Sequence, residues 1–402
     1  MILRAFRPMM AFLLILLLAV HGAVPQASAY VFNRTVSASG GCPQPDRQHF
    51  DASTRIDRRW STSFSTSVQN VFTQDTTPIG RITEIHTAIE NSFAVWAGVG
   101  TALNSTSFDF LQQTVSSDCD SFDGLNMICF NDEPGAFATG VLAFTRNNVA
   151  DRLPYSAGAK SAVFVGQILD SDILFRPGDS SSTFATRNAL PQNPGRYDLE
   201  SVLTHEIGHM LGFSHSSVVR AMMYPFAPPR GTFTGTRCPS PPGAPCDLPL
   251  ADDDRAGLRV LYPNPSDPNV GVISGRVLPA NPISNLSAPQ PVPGPPTGIF
   301  GAHVVALDAQ TGAVVAGTVG GWSCNAANPQ PVSFDGTYVI GGLPVNCNYK
   351  LYVEPLDDPT RAVHIELALR GICGSNPAIC SVPKDSSNNP VVNTNFVTTV
   401  KP

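Results

Sequence analysis

His205-Glu206-Ile207-Gly208-His209-Met210-Leu211-Gly212-Phe213-Ser214-His215 is the stretch from which the rest of this chain is read. Side chains four apart share one face of a helix, so His205 and His209 can grip a single metal ion between them. Neutral imidazole suits zinc, and three protein ligands leave a fourth position open for water. Gly212 lets the backbone leave the helix with a positive φ, and His215 can then return as the third ligand. Glu206 lies one position round from His205, near such a water without ligating the metal. Zinc lowers the pKa of a bound water from ~16 to ~7. Glu206 can then accept its proton as the oxygen attacks a carbonyl, and pass that proton to the departing amine. Three histidines, a glutamate and a glycine at the required offsets separate this pattern from a chance pair of histidines on a polar helix.

The helix carrying His205 and His209 is expected to run from about Leu199 to Leu211, with Asp198 as its N-cap. Upstream, Ile82, Ile85, Ile89, Phe93 and Trp96 recur at helical spacing and predict an amphipathic helix over 82–97 whose apolar face is core. Pro78 and Gly80 precede it, and Gly98 and Gly100 follow. Strands are expected within 60–72, within 163–175, and as a pair within 124–145 broken by Asn131-Asp132-Glu133-Pro134-Gly135. After Pro263 the composition changes. Pro263, Pro265 and Pro268 read as a link, and short strands follow at 272–277, 302–307, 313–318, 336–340 and 349–353. That pattern predicts a small all-β sandwich, with the Pro-rich segment 279–296 as a loop.

At the start, Arg4 and Arg7 precede an apolar run that ends at Val20, and Ala27-Ser28-Ala29 follows. A basic start, a short apolar core and a small-residue cut predict a secretory signal peptide cleaved before Tyr30. The run is shorter than the ~20 residues of a spanning helix, and no transmembrane segment is expected later in the chain. The nine cysteines beyond it therefore read first as disulfide partners. Their order suggests Cys119 with Cys129, Cys238 with Cys246, Cys324 with Cys347 and Cys373 with Cys380, one arrangement among several, which leaves Cys42 over. A net charge of −6 without a basic stripe argues against a nucleic-acid partner.

The string at 205–215 resembles that of the metzincin metallopeptidases, and Ala221-Met222-Met223-Tyr224-Pro225 resembles the Met-turn of their matrixin branch. The resemblance implies an α+β, zincin-like fold, a twisted mixed sheet beside an active-site helix. It implies that Met223 packs beneath the three imidazoles and that Tyr224 and Pro225 line the pocket for the side chain after the cut. Asp253-Asp254-Arg255-Ala256-Gly257-Leu258 is similar to the matrixin C-terminal helix, where the paired acids tie the helix to the catalytic domain. Asp123-Gly124-Leu125-Asn126 and Gly140-Val141-Leu142-Ala143 add weaker matches.

Cys42-Pro43-Gln44-Pro45-Asp46 partly resembles the matrixin cysteine switch, which makes Cys42 a candidate latency ligand for the zinc. The arginine before it and the glycine after it are missing, and a disulfide or free thiol is the competing reading. Only His86 and His49 lie elsewhere in this region, so a second, structural zinc is not expected. Calcium is expected as the alternative to plain solvated loops at Asp123, Asp132, Glu133, Asp170 and Asp172. Gly275-Arg276-Val277, Ala309-Gln310-Thr311-Gly312 and Gly336-Thr337-Tyr338 resemble the carboxypeptidase-regulatory-like or prealbumin-like sandwiches, modules that often serve as stalks or adhesion domains.

The expected organisation is a signal peptide over 1–29, a leader or short pro-segment over 30–55, a matrixin-like catalytic domain over 56–263, a link over 264–271 and a β-sandwich over 272–402. The expected function is that of a secreted, extracellular zinc endopeptidase acting on proteins or peptides, with cell-surface or matrix contact through the C-terminal domain. The rival is a secreted adhesion or binding protein with a catalytically silent zincin domain, and the intact Glu206 speaks against it. A third reading has the same metal site hydrolyse another bond; the Tyr224-Pro225 match favours a peptide.

Overall fold

The computed structural model describes residues 34–36, 55–57, 59–61, 69–73, 82–103, 108–114, 119, 122–130, 137, 140–176, 183–193, 195–216, 218, 221–225, 227, 249–278, 302–319, 323–325, 328–333, 336–355 and 396–399. The signal-peptide segment 1–29, Cys42, Asp132, Glu133, the Cys238–Cys246 and Cys373–Cys380 pairs and the Pro-rich segment 279–296 lie outside them.

Five strands form the first sheet: β1 (Gln69–Thr73), β2 (Phe108–Thr114), β3 (Asn126–Cys129), β4 (Ala143–Val149) and β5 (Ile168–Phe175). Their order is β2-β1-β3-β5-β4. Pairs β1–β2, β1–β3 and β3–β5 are parallel, whereas β4 runs antiparallel to β5 at the edge. The sheet is therefore mixed. All eight residues of β5 are buried, as a central strand flanked on both sides requires. Its polar members meet local partners: Met127 N donates to Asp172 Oδ1 at 3.0 Å, Gly124 N to Asp170 Oδ2 at 3.0 Å and Ser171 N to Asn126 Oδ1 at 3.1 Å, while Asp170 Oδ1 is buried without a hydrogen bond.

Helix α1 spans Ile82–Ala97, as its spacing predicts. Ile85, Ile89 and Trp96 are buried and Phe93 packs against the same core. Each large side chain so buried contributes up to ~1.5–3 kcal/mol. Helix α2 spans Leu199–Met210 and packs between α1 and the sheet. Asp198 caps it, accepting from Glu200 N at 3.3 Å and from Ser201 Oγ at 2.8 Å. At the other end Phe213 N donates to Gly208 O at 3.0 Å, and Gly212 takes φ +108°, a conformation that favours glycine. Helix α3 spans Asp252–Leu261, with three acids in its first turn where the helix dipole favours them.

Beyond α3 the described elements are all strands: β6 (Val270–Arg276), β7 (Ala302–Asp308), β8 (Val314–Val319), β9 (Thr337–Pro344), β10 (Asn348–Pro355) and β11 (Phe396–Thr399), with a short pair at 323–325 and 328–333. β6 pairs with β9, and β8-β7-β10-β11 form an antiparallel sheet. α3 packs against β8 and β9, so one apolar core runs on from the first sheet into these strands. Cys119 and Cys129 form the expected disulfide. Cys347 carries a free thiol in the turn after β9, beside Tyr349, and the expected pairing with Cys324 is not formed.

Candidate metal centre

α2 presents His205 and His209 on one face, and the loop beyond Gly212 returns His215 to them. The three ligand atoms lie within 4.8 Å of one another, the only such group of His, Cys, Asp or Glu among the described residues. Nδ1 of His205 meets Met222 O at 2.7 Å, and Nδ1 of His209 meets Phe213 O at 2.8 Å. Against a carbonyl each Nδ1 must carry the proton, which leaves each Nε2 lone pair for a ligand. His209 Nε2 and His215 Nε2 face each other at 3.2 Å. Two nitrogens ~2.0–2.1 Å from one tetrahedral ion stand about 3.3 Å apart, so this donor set fits zinc. Burial lowers the pKa of His205 to about 3, with His209 adding to the effect, and burial lowers that of His209. Burial thereby favours the neutral form of His205 and His209, as metal ligation needs.

Glu206 is buried next to His205. Burial raises its pKa to about 7, and a hydrogen bond from Thr145 opposes that rise. Thr145 Oγ lies 2.7 Å from Glu206 Oε2 and 3.0 Å from Glu206 O. Two residues along β4, Asn147 Nδ2 donates to His209 O at 2.8 Å, while its Oδ1 accepts from Ser171 Oγ at 2.6 Å. Alternate residues of one strand thus reach the helix at Glu206 and at His209.

Met223 is buried against α2: a Cβ at Gly208 would lie 2.1 Å from its Sδ and 2.9 Å from Trp96 Cζ2. The turn is held by Asp254, whose Oδ2 accepts from Met222 N at 2.7 Å and whose Oδ1 accepts from Met223 N at 3.1 Å. Tyr224 and Pro225 follow, both half-buried. Asp253 accepts from Ser216 Oγ at 2.6 Å and from Gly317 N at 2.9 Å. The paired acids therefore hold the two segments that flank the candidate ligand His215 and the methionine.

The middle and the far end of α2 are clamped by aromatic donors. Trp60 Nε1 donates to Met210 O at 2.8 Å, Tyr262 Oη to Leu211 O at 2.6 Å, and Trp96 Nε1 to Thr204 O at 2.9 Å. Buried Trp and Tyr place an apolar ring in the core and still spend their one donor. Helical spacing places Trp96 in the core face of α1, but the sequence singles out neither these hydrogen bonds nor Thr145 and Asn147. A Thr-x-Asn alternation on a strand looks the same whether it meets solvent or a helix.

Of the acids expected to bind calcium, Asp123, Asp170 and Asp172 are described, and they do not gather into a group of three ligand atoms. Lys160 is partly buried among them and supplies a positive charge there.

Comparison with known proteins agrees with this geometry. Residues 59–236 match the family model described as Matrixin. The chain is 50% identical over 66 residues to Metalloendoproteinase 1 of Glycine max, covering 16% of this chain and 17% of that protein. It is 46% identical over 69 residues to Metalloendoproteinase 1-MMP of Arabidopsis thaliana, covering 17% and 15%. It is 32% identical over 130 residues to Stromelysin-3 of Xenopus laevis, covering 32% and 23%. The chain thus spans less than a quarter of the length of each of these curated relatives. Over residues 59–236 the chain is thus similar to the matrixins.

Proposed function

We propose that the chain is a secreted zinc metalloendopeptidase that hydrolyses peptide bonds of extracellular proteins. The observation that carries this reading is the convergence of His205, His209 and His215, with two Nδ1 atoms committed to carbonyls and Glu206 alongside. Zinc bound there would acidify a water and polarise the substrate carbonyl. Glu206 takes the proton from that water and gives it to the amine nitrogen as the C–N bond breaks. Burial of Glu206 in a dry site strengthens each of these interactions. β4 ends the sheet beside α2, and an extended peptide can add to such an edge through backbone hydrogen bonds. Met223 serves as a packed floor under the ligands, and Tyr224 and Pro225 as pocket walls. Secretion is supported by the basic, apolar and small-residue segments of 1–29, and no described helix is long and apolar enough to cross a membrane. The strands after α3 serve as a buttress to the site and as a contact module.

The test is cleavage of a quenched peptide library before and after removal of metal by a chelator. Activity lost on chelation and restored by one equivalent of zinc supports the reading. A protein that binds zinc and cleaves no peptide would replace it with the binding-only alternative.

A further inference from the structure

The Thr145 hydroxyl donates to the carboxylate of Glu206, at 2.7 Å from Oε2. It comes from a different element, the edge strand β4, and not from the zinc-binding motif. Glu206 is 4% exposed, so its carboxylate has little water to hold it in place. A threonine hydroxyl has one proton to give, and a charge-assisted bond to a carboxylate is the stronger use of it. Thr145 is β-branched and sits in a paired strand, which restricts its χ1 and aims the hydroxyl. Its backbone is fixed by the antiparallel register that pairs Thr145 with Ile173 of β5. Two residues on, Asn147 fixes the same strand to His209 O, so strand and helix cannot slide past one another without breaking both contacts.

We infer that Thr145 is a positioning residue for the general base, holding Oε2 of Glu206 so that Oε1 is the atom that receives and returns the proton. This rests on the peptidase reading above. In the hydrolytic step the water proton goes to Oε1, the oxygen forms the new C–O bond, and the proton then leaves Oε1 for the amine nitrogen as the C–N bond breaks. Glu206 ends as it began, and Thr145 keeps its proton throughout. A carboxylate tethered at one oxygen stays within reach of the reacting water, and small misplacements of such a group cost rate steeply.

The experiment compares the full-length protein with Thr145→Val, Thr145→Ser and Glu206→Gln. kcat and KM are measured on one quenched peptide, zinc affinity by competition with a chromophoric chelator, and melting temperature in the same preparations. Valine keeps the shape and removes the donor, so kcat falls roughly 10- to 100-fold, with KM and zinc affinity within about twofold of wild type. Serine restores kcat to within about fivefold, because it returns the donor at the cost of some χ1 freedom. If valine also lowers the melting temperature, Thr145→Ala beside Thr145→Ser decides at equal zinc loading. The inference is overturned by a Thr145→Val enzyme whose kcat matches wild type, or by a kcat loss that only tracks a loss of zinc. A wild type that does not cut, or cuts no better than Glu206→Gln, instead overturns the peptidase reading on which it rests.

Discussion

The Asp253 carboxylate of α3 accepts the Gly317 backbone N–H of β8 at 2.9 Å, and both residues belong to a buried seam. Its other oxygen takes the Ser216 hydroxyl at 2.6 Å, one residue beyond the proposed metal ligand His215. One side chain therefore joins the C-terminal strands to the loop that carries a ligand. Asp253→Ala would leave a buried hydroxyl and a buried amide without this acceptor, at ~1–3 kcal/mol for each group. The expected result is a loss of about 2–4 kcal/mol in urea unfolding, in a single transition that both sheets share. Two separate transitions, with only the later one moved, would show that the strands after α3 are an independent module.

The same residue sets a pH dependence. Burial, with Asp254 beside it, pushes Asp253 up to about 8. An acid with a folded pKa above its unfolded one binds more protons when folded. The unfolded chain ionises from about pH 4 and the folded chain from about pH 8, so this group lowers stability as pH rises between them. Below about 4 and above about 8 it adds no slope. Asp253→Asn, which mimics the protonated acid, should flatten the stability profile over that window. Zinc loss from histidine acts at the acid end in both proteins, so the difference between the two profiles is the quantity to measure.

Gly208 sits where a Cβ would meet Met223 Sδ at 2.1 Å and Trp96 Cζ2 at 2.9 Å. Alanine is the better helix former by ~1 kcal/mol. Overpacking costs ~1–3 kcal/mol, and here both neighbours are buried and held. Gly208→Ala should therefore be no more stable than wild type and should bind zinc more weakly, because Met223 must move while Met222 O holds His205. Thermal unfolding and chelator competition read the two effects, and a more stable variant with full zinc affinity would refute them.

His215 is the proposed ligand that comes from the loop and not from the helix. His215→Ala should lower zinc affinity by at least 100-fold while leaving α2 and its aromatic clamps in place, as judged by far-ultraviolet circular dichroism. Undiminished zinc affinity would remove His215 from the donor set.

Much of this arrangement could be read from the chain itself, because its signals are local. The i, i+4 histidines, the glycine that turns the chain at φ +108° and the capping Asp198 all act within one or two helical turns. The apolar spacing of Ile85, Ile89 and Trp96 gave the bounds of α1 for the same reason. Contacts between distant segments left no comparable mark. Thr145 lies 61 residues from Glu206, and Gly317 lies 64 from Asp253. Their residue types suit many surfaces, and only the sheet register and the packing of α3 bring them together. The Cys324–Cys347 expectation failed likewise: Cys347 carries a free thiol, and order along the chain does not decide which cysteines pair.

The most direct test of the central claim measures zinc content and peptide cleavage together on wild type and Glu206→Gln. In the proposed mechanism Glu206 is no ligand, so both proteins should hold one zinc per chain, with Glu206→Gln cutting slower than wild type by about 100-fold or more. Equal cleavage by the two proteins, or a wild type purified in zinc-containing buffer that holds no zinc, would contradict it.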